Sequence, residues 1–422
     1  MPSSSLPKNG ILPDCQHGFR QNRSVATLLL DSLDHFSAAI ERGDWVDVIF
    51  FDLQKAFDTV DHNRLLAKLE SKGITGALLN WLTSYLSNRT FQVQIQNDLS
   101  EAQPAKKGVP QGSVLGPLLF LFYVHDLPIF CNTPKVENAM FADDLKAFHI
   151  SPKTQIPTKF TQPLKLFIEK LTAYCNRNGL ALNAKKCFVL HLGKNNPCLP
   201  YSLNGFTISE IKDNETVRDL GILLSPSLKW DTQIQTITTK AKRTYFTIFK
   251  SIKSHDLNVL THVYVTFVRS ILEFASYFYN PYYAKDIELI EKVQKTYLTL
   301  IYKRIHFGKE PESYKSLLKW SQLESLEFRR LKADFIMFQK YCLGIHQFPP
   351  NHSAFSLLPS KTRGDVLKIK TTICQTQTRF NSFFVRMSRI YPKLPESVRK
   401  LNLKKFENEI GNHISTYITK YP

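Results

Sequence analysis

The 422-residue sequence has no closely spaced cysteine pair, no tract dominated by glycine or proline, and no apolar run of membrane-spanning length. Its seven cysteines (15, 131, 175, 187, 198, 342 and 374) are odd in number and lack any CxxC spacing, which argues against a disulfide framework and points to a reducing compartment. Sixteen glycines and 22 prolines exclude a collagen-like chain. The longest apolar run, Pro117 to Val124, falls far short of the ~20 residues a membrane helix needs. The Met-Pro-Ser-Ser-Ser start carries no apolar signal core, so an intracellular location without a membrane span is expected. Cys175, Cys187, His191 and Cys198 fall within 24 residues of one another, but without a paired knuckle ordinary buried thiols are favoured over zinc.

What the chain does have is a core-building composition, 43% hydrophobic with 30 Phe and 17 Tyr, and enough length for two or three domains. Its net charge of +19 is unevenly placed: residues 1–150 sum to −3 and residues 151–422 to +22. A mildly acidic first third joined to a basic remainder suits a carboxylate-bearing site served by a polyanion-binding body.

Hydrophobic periodicity predicts a helix over about 24–40 and a central strand over 46–52, apolar on both faces. Two helices follow, one capped by Asp61 and stopped by Gly73, the other over about 76–87. The alternation of Phe91, Val93 and Ile95 with glutamines predicts a half-exposed strand. The loop Gly108–Pro117 leads into an apolar helix, and residues 139–150 read as strand, Asp-Asp turn, strand. Next come a helix over about 160–178, a strand over 187–192, an Asn204-Gly205 hairpin and one strand over 217–224. Beyond Trp230 helices alone are expected, among them an aromatic core helix over 263–279, with a linker near 344–363.

Three strings carry chemistry. Phe51-Asp52-Leu53-Gln-Lys-Ala-Phe57-Asp58 ends a central strand in a carboxylate. Gly108-Val-Pro-Gln111-Gly112-Ser-Val-Leu-Gly-Pro117 is a flexible loop entering a helix. Phe141-Ala142-Asp143-Asp144 puts two carboxylates at a hairpin tip. Any specified four-letter string recurs by chance about once in 10⁴–10⁵ positions, so none is decisive singly. Together they place carboxylates from a strand end and a neighbouring tip where two Mg²⁺ ions ~3.5–4 Å apart would serve a phosphate-bearing substrate.

In order, spacing and content these strings resemble the palm of reverse transcriptases of non-LTR (LINE-type, jockey-like) retrotransposons. Further phrases extend the resemblance: Gln16-His17-Gly18-Phe19-Arg20 with Arg23-Ser24, Gly179-Leu-Ala-Leu-Asn183-Ala-Lys185-Lys186, and Asp219-Leu-Gly221 ahead of Leu228-Lys-Trp230. Arg269-Ser-Ile-Leu-Glu273 and Leu394-Pro-Glu-Ser-Val398 are similar to the same group's C-terminal region.

The resemblance implies an α+β fold: a right-hand polymerase palm with an antiparallel sheet and packed helices, partial fingers, and an α-helical thumb and C-terminal region. The expected divisions are partial fingers over 1–44, palm over 45–230, helical thumb or connection over 231–343, and a basic helical region over 344–422. The implied activity is RNA-directed DNA polymerisation with two Mg²⁺ (or Mn²⁺) ions, an RNA template, a DNA primer and deoxynucleoside triphosphates, in the nucleus or cytoplasm. Asp52, Asp143, Asp144 and Lys186 would be catalytic, with Leu53 joining the three aspartates in the metal set and Lys186, or the adjacent Lys185, donating a proton to pyrophosphate. Phe57 stands where the family has its steric gate against a ribose 2′-hydroxyl. Gln111, Gly112 and Arg20 would border the incoming nucleotide. Arg23 and the run Lys240, Lys242, Arg243, Lys250 and Lys253 would contact nucleic acid, with Tyr245, Phe246 and Phe249 turned to the core.

The family's upstream fingers segment of Tyr-Arg-Pro-Ile type, its endonuclease and a C-terminal zinc knuckle have no counterpart here, so an N-terminally truncated enzyme with compromised activity is expected. The alternative is a retrotransposon remnant that only binds nucleic acid, and retention of all three aspartates argues against it. A two-metal nuclease leaves the Pro-Gln-Gly loop and Phe57 without a purpose.

Overall fold

A computed structural model describes residues 12–348, 354–359 and 367–418. It is a mixed helix and sheet protein whose chain divides into two compact units, one of residues 1–28 and 43–212, the other of 29–42 and 213–422. These divisions differ from the expected ones at 44 and 230.

The first unit is built on a five-stranded sheet. Its strands are β1 (Trp45–Phe51), β2 (Val136–Phe141), β3 (Asp144–Ser151), β4 (Phe188–Leu192) and β5 (Ser209–Glu210), in the spatial order β5-β4-β1-β3-β2. β1 sits in the middle, antiparallel to β3 and β4, and β5 joins β4 in parallel. Its Trp-Val-Asp-Val-Ile-Phe-Phe sequence suits that place: β-branched and aromatic side chains fill both faces, and only Asp47 is polar.

Only the first turn of α1 (Val25–Arg42) lies in this unit. Its helix α2 (His62–Ser71) begins where the Asp61 side chain accepts from the Arg64 amide. α3 (Gly76–Leu86) follows, then the wholly apolar α4 (Gly116–Val124). α5 (Pro157–Asn178) starts on a proline and ends at Gly179 in the left-handed region. Its buried stripe of Phe160, Leu164, Phe167 and Leu171 lies against β1, with Phe167 6.0 Å from Phe51 and Phe160 5.6 Å from Trp45.

Among its described residues the second unit is helical apart from two antiparallel strand pairs, with long helices α6 (Asp231–Ser251), α7 (Ala284–Ile305) and α8 (Leu326–Cys342). Tyr245, Tyr264 and Tyr297 form its aromatic centre, Tyr264 stacking on Tyr297 at 4.9 Å. The buried Asp34 carboxylate, on the part of α1 that belongs here, pairs with Arg379 at 2.5 Å, and the same guanidinium reaches Ser37 Oγ at 2.9 Å. Losing one partner of such a buried pair typically costs about 3–5 kcal/mol, because the other charge stays behind.

Four expectations need correction. The strand expected across Phe91–Ile95 is two separate two-residue strands, paired with 103–104 and 98–99, and all three apolar side chains are exposed instead of alternating with a buried face. The single strand over 217–224 is a hairpin, β6 (Val217–Asp219) against β7 (Ile222–Leu224), because Leu220 and Gly221 both take positive φ and reverse the chain. The aromatic helix over 263–279 is interrupted by a π-helical stretch, Tyr264–Arg269, and broken where Ala275 turns left-handed. Finally, the C-terminal region is not helical throughout. Phe355–Pro359 (β8) pairs antiparallel with Leu367–Thr371 (β9), whose alternation of apolar and basic residues is strand-like. Of the expected linker over 344–363, residues 349–353 and 360–363 lie outside the described residues. Among the described residues no helix is long and apolar enough to cross a membrane.

Candidate active site

Asp52 follows the last residue of the central strand, so its position is set by the sheet and not by a loop. The β1–β3 register pairs Phe51 with Leu145, which brings Asp144 level with Asp52 one step further along. β2 and β3 are joined by Ala142 and Asp143 alone, closed by the Phe141–Asp144 pair. Three aspartates from two stretches of chain thus gather at one end of the sheet.

Asp143 is half-buried and Asp144 exposed. Burial pushes the Asp143 carboxyl above its ordinary value, and the negative charge of Asp52 pushes in the same direction. A half-buried carboxyl that is costly to ionise beside a second carboxylate is what a divalent cation relieves, so these residues fit a metal site. Burial also raises the Cys187 thiol, with the Asp52 charge adding to it, so this cysteine stands beside Asp52 and stays protonated. Leu53 is buried and bridges Leu182, while the Asn183 amide donates to the Asp52 carbonyl at 2.9 Å. That anchors the turn Ala184–Lys186 beside the strand end, with Lys185 and Lys186 both exposed on it.

The tip is held in place by a residue the sequence reading quoted without assigning it a task. Ala142 sits at φ +57°, a left-handed conformation that costs a non-glycine residue roughly 1–2 kcal/mol. Gln16 secures it in both directions: its Oε1 accepts from the Ala142 amide at 2.9 Å, and its Nε2 donates to the Ala142 carbonyl at 3.2 Å. The same Oε1 accepts from Gly18 at 2.8 Å. A Cβ on Gly18 would lie 2.4 Å from the Ala142 nitrogen, so only glycine lets the two backbones approach. The one available signal was the unexplained Gln-His-Gly-Phe-Arg phrase itself.

The Gly108–Pro117 loop is tied to the chain that follows Asp52. Gly108 donates to the Val60 carbonyl at 2.8 Å and Val109 to that of Phe57 at 2.9 Å. Gly108 lies at φ +89°, where a side chain would strike the Asp58 carbonyl at 2.9 Å. The Gln111 Nε2 donates to Asp58 Oδ1 at 2.8 Å, giving Asp58 a role the sequence reading missed. Gly112, at φ +77°, is exposed with open space around it. Phe57 is half-buried and stacks on Phe120 of α4 at 4.4 Å, so one ring face is packed.

Arg20 and Arg23 bond to the segment that holds the tip. Arg20 spends its guanidinium on the carbonyls of Pro13 and Gln16 at 2.5 and 3.2 Å, and Arg23 contacts His17 Nε2 at 3.3 Å. Lys240, Lys242, Arg243 and Lys250 ride on α6 of the second unit, and Lys253 lies past its end. All but the half-buried Lys242 are exposed. The expected inward turn of the three rings there holds for Tyr245 only: Phe246 is 49% exposed and Phe249 half-exposed, because their places on the helix rotate them off the buried stripe. The expected preference for buried thiols holds for Cys175 and Cys187, both in the core, but not for Cys198, which is exposed.

Comparison with known proteins gives the family. Residues 5–239 match the family described as reverse transcriptase (RNA-dependent DNA polymerase). The chain is 33% identical over 194 residues to the probable RNA-directed DNA polymerase from transposon BS of Drosophila melanogaster, covering 44% of this chain and 21% of that protein. It is 29% identical over 232 residues to the RNA-directed DNA polymerase from mobile element jockey of the same organism, covering 54% and 25%. The chain thus spans about a fifth to a quarter of the length of these curated relatives. Among solved structures, apo telomerase from Candida tropicalis is similar at 12% identity and a TM-score of 0.34, over 75% of this chain and 49% of that one. With its aspartates gathered at a sheet end and a family match across more than half its length, the chain belongs to the reverse transcriptase family and resembles the jockey-like non-LTR members.

Proposed function

We propose that this chain is the polymerase part of a non-LTR retrotransposon reverse transcriptase, adding deoxynucleotides to a primer 3′-hydroxyl against an RNA template. The observation that carries this reading is the gathering of Asp52, Asp143 and Asp144 at the end of the central strands, where the Asp52 charge helps raise the Asp143 carboxyl. Asp52, Leu53, Asp143 and Asp144 are the residues to hold two Mg²⁺ or Mn²⁺ ions, which when bound supply positive charge to the attacking and leaving oxygens.

In this reaction the 3′-oxygen gives its proton to solvent water and bonds to the α-phosphorus, while the bond to the bridging oxygen of pyrophosphate breaks. The chain's own contribution is positioning and charge. Lys186, exposed on the turn anchored to Asp52, donates a proton to the departing pyrophosphate. Phe57, its ring fixed by Phe120, presents a rigid edge that disfavours a ribose 2′-hydroxyl. Gln111, held by Asp58, and Gly112, with no side chain, leave the loop backbone open to the incoming nucleotide. Arg20 and Arg23 border that nucleotide and the template, and the second unit, with the basic face of α6, acts as thumb for the duplex backbone.

The test is primer extension on an RNA template by the purified chain with Mg²⁺ or Mn²⁺. Extension is expected for the unaltered chain, with a loss of at least about 10³-fold in the Asp143→Ala/Asp144→Ala double variant. No extension, with salt-sensitive binding to the same duplex retained, would replace this reading by that of a nucleic-acid binder.

A further inference from the structure

Away from the aspartates, at the β4–β5 edge of the sheet, three different ligand types meet. His191 from β4, Cys198 from the following loop and Glu210 from β5 have donor atoms within 4.8 Å of one another. Each is placed by the fold. His191 stands directly opposite Asp47 in the β1–β4 register, so both side chains share a face. Glu210 pairs with Val189, two residues before His191 and therefore on the same face.

The support behind these three is what a metal ligand set requires and a chance surface cluster lacks. Asp47 is fully buried, and its carboxylate accepts from His191 Nδ1 at 2.7 Å, Asn196 Nδ2 at 2.9 Å and Tyr201 Oη at 2.6 Å. A carboxylate receiving three donors fixes the proton on Nδ1, which leaves the lone pair of the neutral ring on Nε2. This is the carboxylate–histidine arrangement that orients imidazole toward a metal. Asn196 then extends the same support to the cysteine: it also donates to the Leu192 carbonyl at 3.0 Å, and its Oδ1 accepts from the Cys198 amide at 3.0 Å. One buried aspartate thus positions both the histidine and the loop that carries the thiol.

We propose that His191, Cys198 and Glu210 bind a zinc ion that clips the 193–198 loop to the β4–β5 edge. One nitrogen, one thiolate sulfur and one carboxylate oxygen is a set that zinc accepts, whereas Mg²⁺ and Ca²⁺ select oxygen alone. With three protein ligands the fourth tetrahedral position belongs to water. Binding releases the Cys198 proton, and the two anionic ligands balance the ion's charge. The cysteines that flank this region in the sequence, Cys175 and Cys187, are buried in the core and take no part; the carboxylate that completes the set comes from a different strand.

The experiment is zinc titration of the full chain, followed by Co²⁺ substitution read from the thiolate-to-cobalt charge-transfer band. One equivalent of zinc and a clear charge-transfer band are expected, both surviving Asp143→Ala. Cys198→Ser removes the band, and Cys198→Ser and Glu210→Gln each weaken zinc binding by at least the roughly 10–100-fold that loss of an outer-sphere partner costs. Both positions are exposed, so neither variant endangers folding. Zinc binding no tighter than that of the two variants, or a cobalt band that persists in Cys198→Ser, would overturn the proposal.

Discussion

For Asp143, proposed as a metal ligand, the local environment sets a pH dependence. Burial first, and the charge of Asp52 second, hold its carboxyl above the ordinary carboxylate value. The folded chain therefore takes up this proton at a higher pH than the unfolded chain does. Ionised Asp143 costs stability, a cost relieved as pH falls through its raised pKa, and divalent-ion affinity is lost over that same window. Asp52→Asn removes one of the two causes, so Asp143 should titrate at lower pH in that variant than in the parent. Carboxyl-carbon NMR titration without added metal measures this; an unchanged midpoint would mean the two side chains do not sense each other.

The element that matters most is the β2–β3 hairpin, whose two-residue tip is shaped by a partner more than a hundred positions away in sequence. Gln16 is buried and supplies acceptor and donor to Ala142 together with an acceptor to Gly18. Gln16→Ala leaves buried amides unpaired and should destabilise the first unit by about 1–3 kcal/mol in urea unfolding. Because Asp143 follows Ala142 directly, extension should fall well beyond what the unfolded fraction explains. Unaltered stability together with unaltered extension would show the tip to be self-supporting. The motif at the tip was legible from sequence, since Phe-Ala-Asp-Asp between two alternating runs is a hairpin signal. Its clamp was not legible, because a glutamine in a polar phrase has no periodicity to announce a buried contact.

For the whole molecule the governing quantity is the uneven charge, −3 over residues 1–150 and +22 beyond. Binding to an RNA–DNA duplex should weaken linearly with log salt. Replacing Lys240, Arg243 and Lys250 by glutamine should each lower the slope by about 0.7–0.9 if all three meet phosphates. Fluorescence anisotropy across a salt series measures it, and an unchanged slope in the triple variant would mean that this face of α6 is only solvated. The second unit also shows where composition misleads: aromatic richness suggested continuous core helices, yet a π-helical stretch, a left-handed Ala275 and the β8–β9 pair interrupt them.

The sequence by itself determined the central strand, the order of the carboxylate-bearing strings and the family, because strand alternation, caps and contiguous motifs are local properties of the chain. Only the tertiary structure decided which distant groups meet: Gln16 with Ala142, Gln111 with Asp58, Asp34 with Arg379, and His191 with Asp47 and Glu210. Each pairing depends on sheet register and on close backbone approach, and neither is encoded within any one segment.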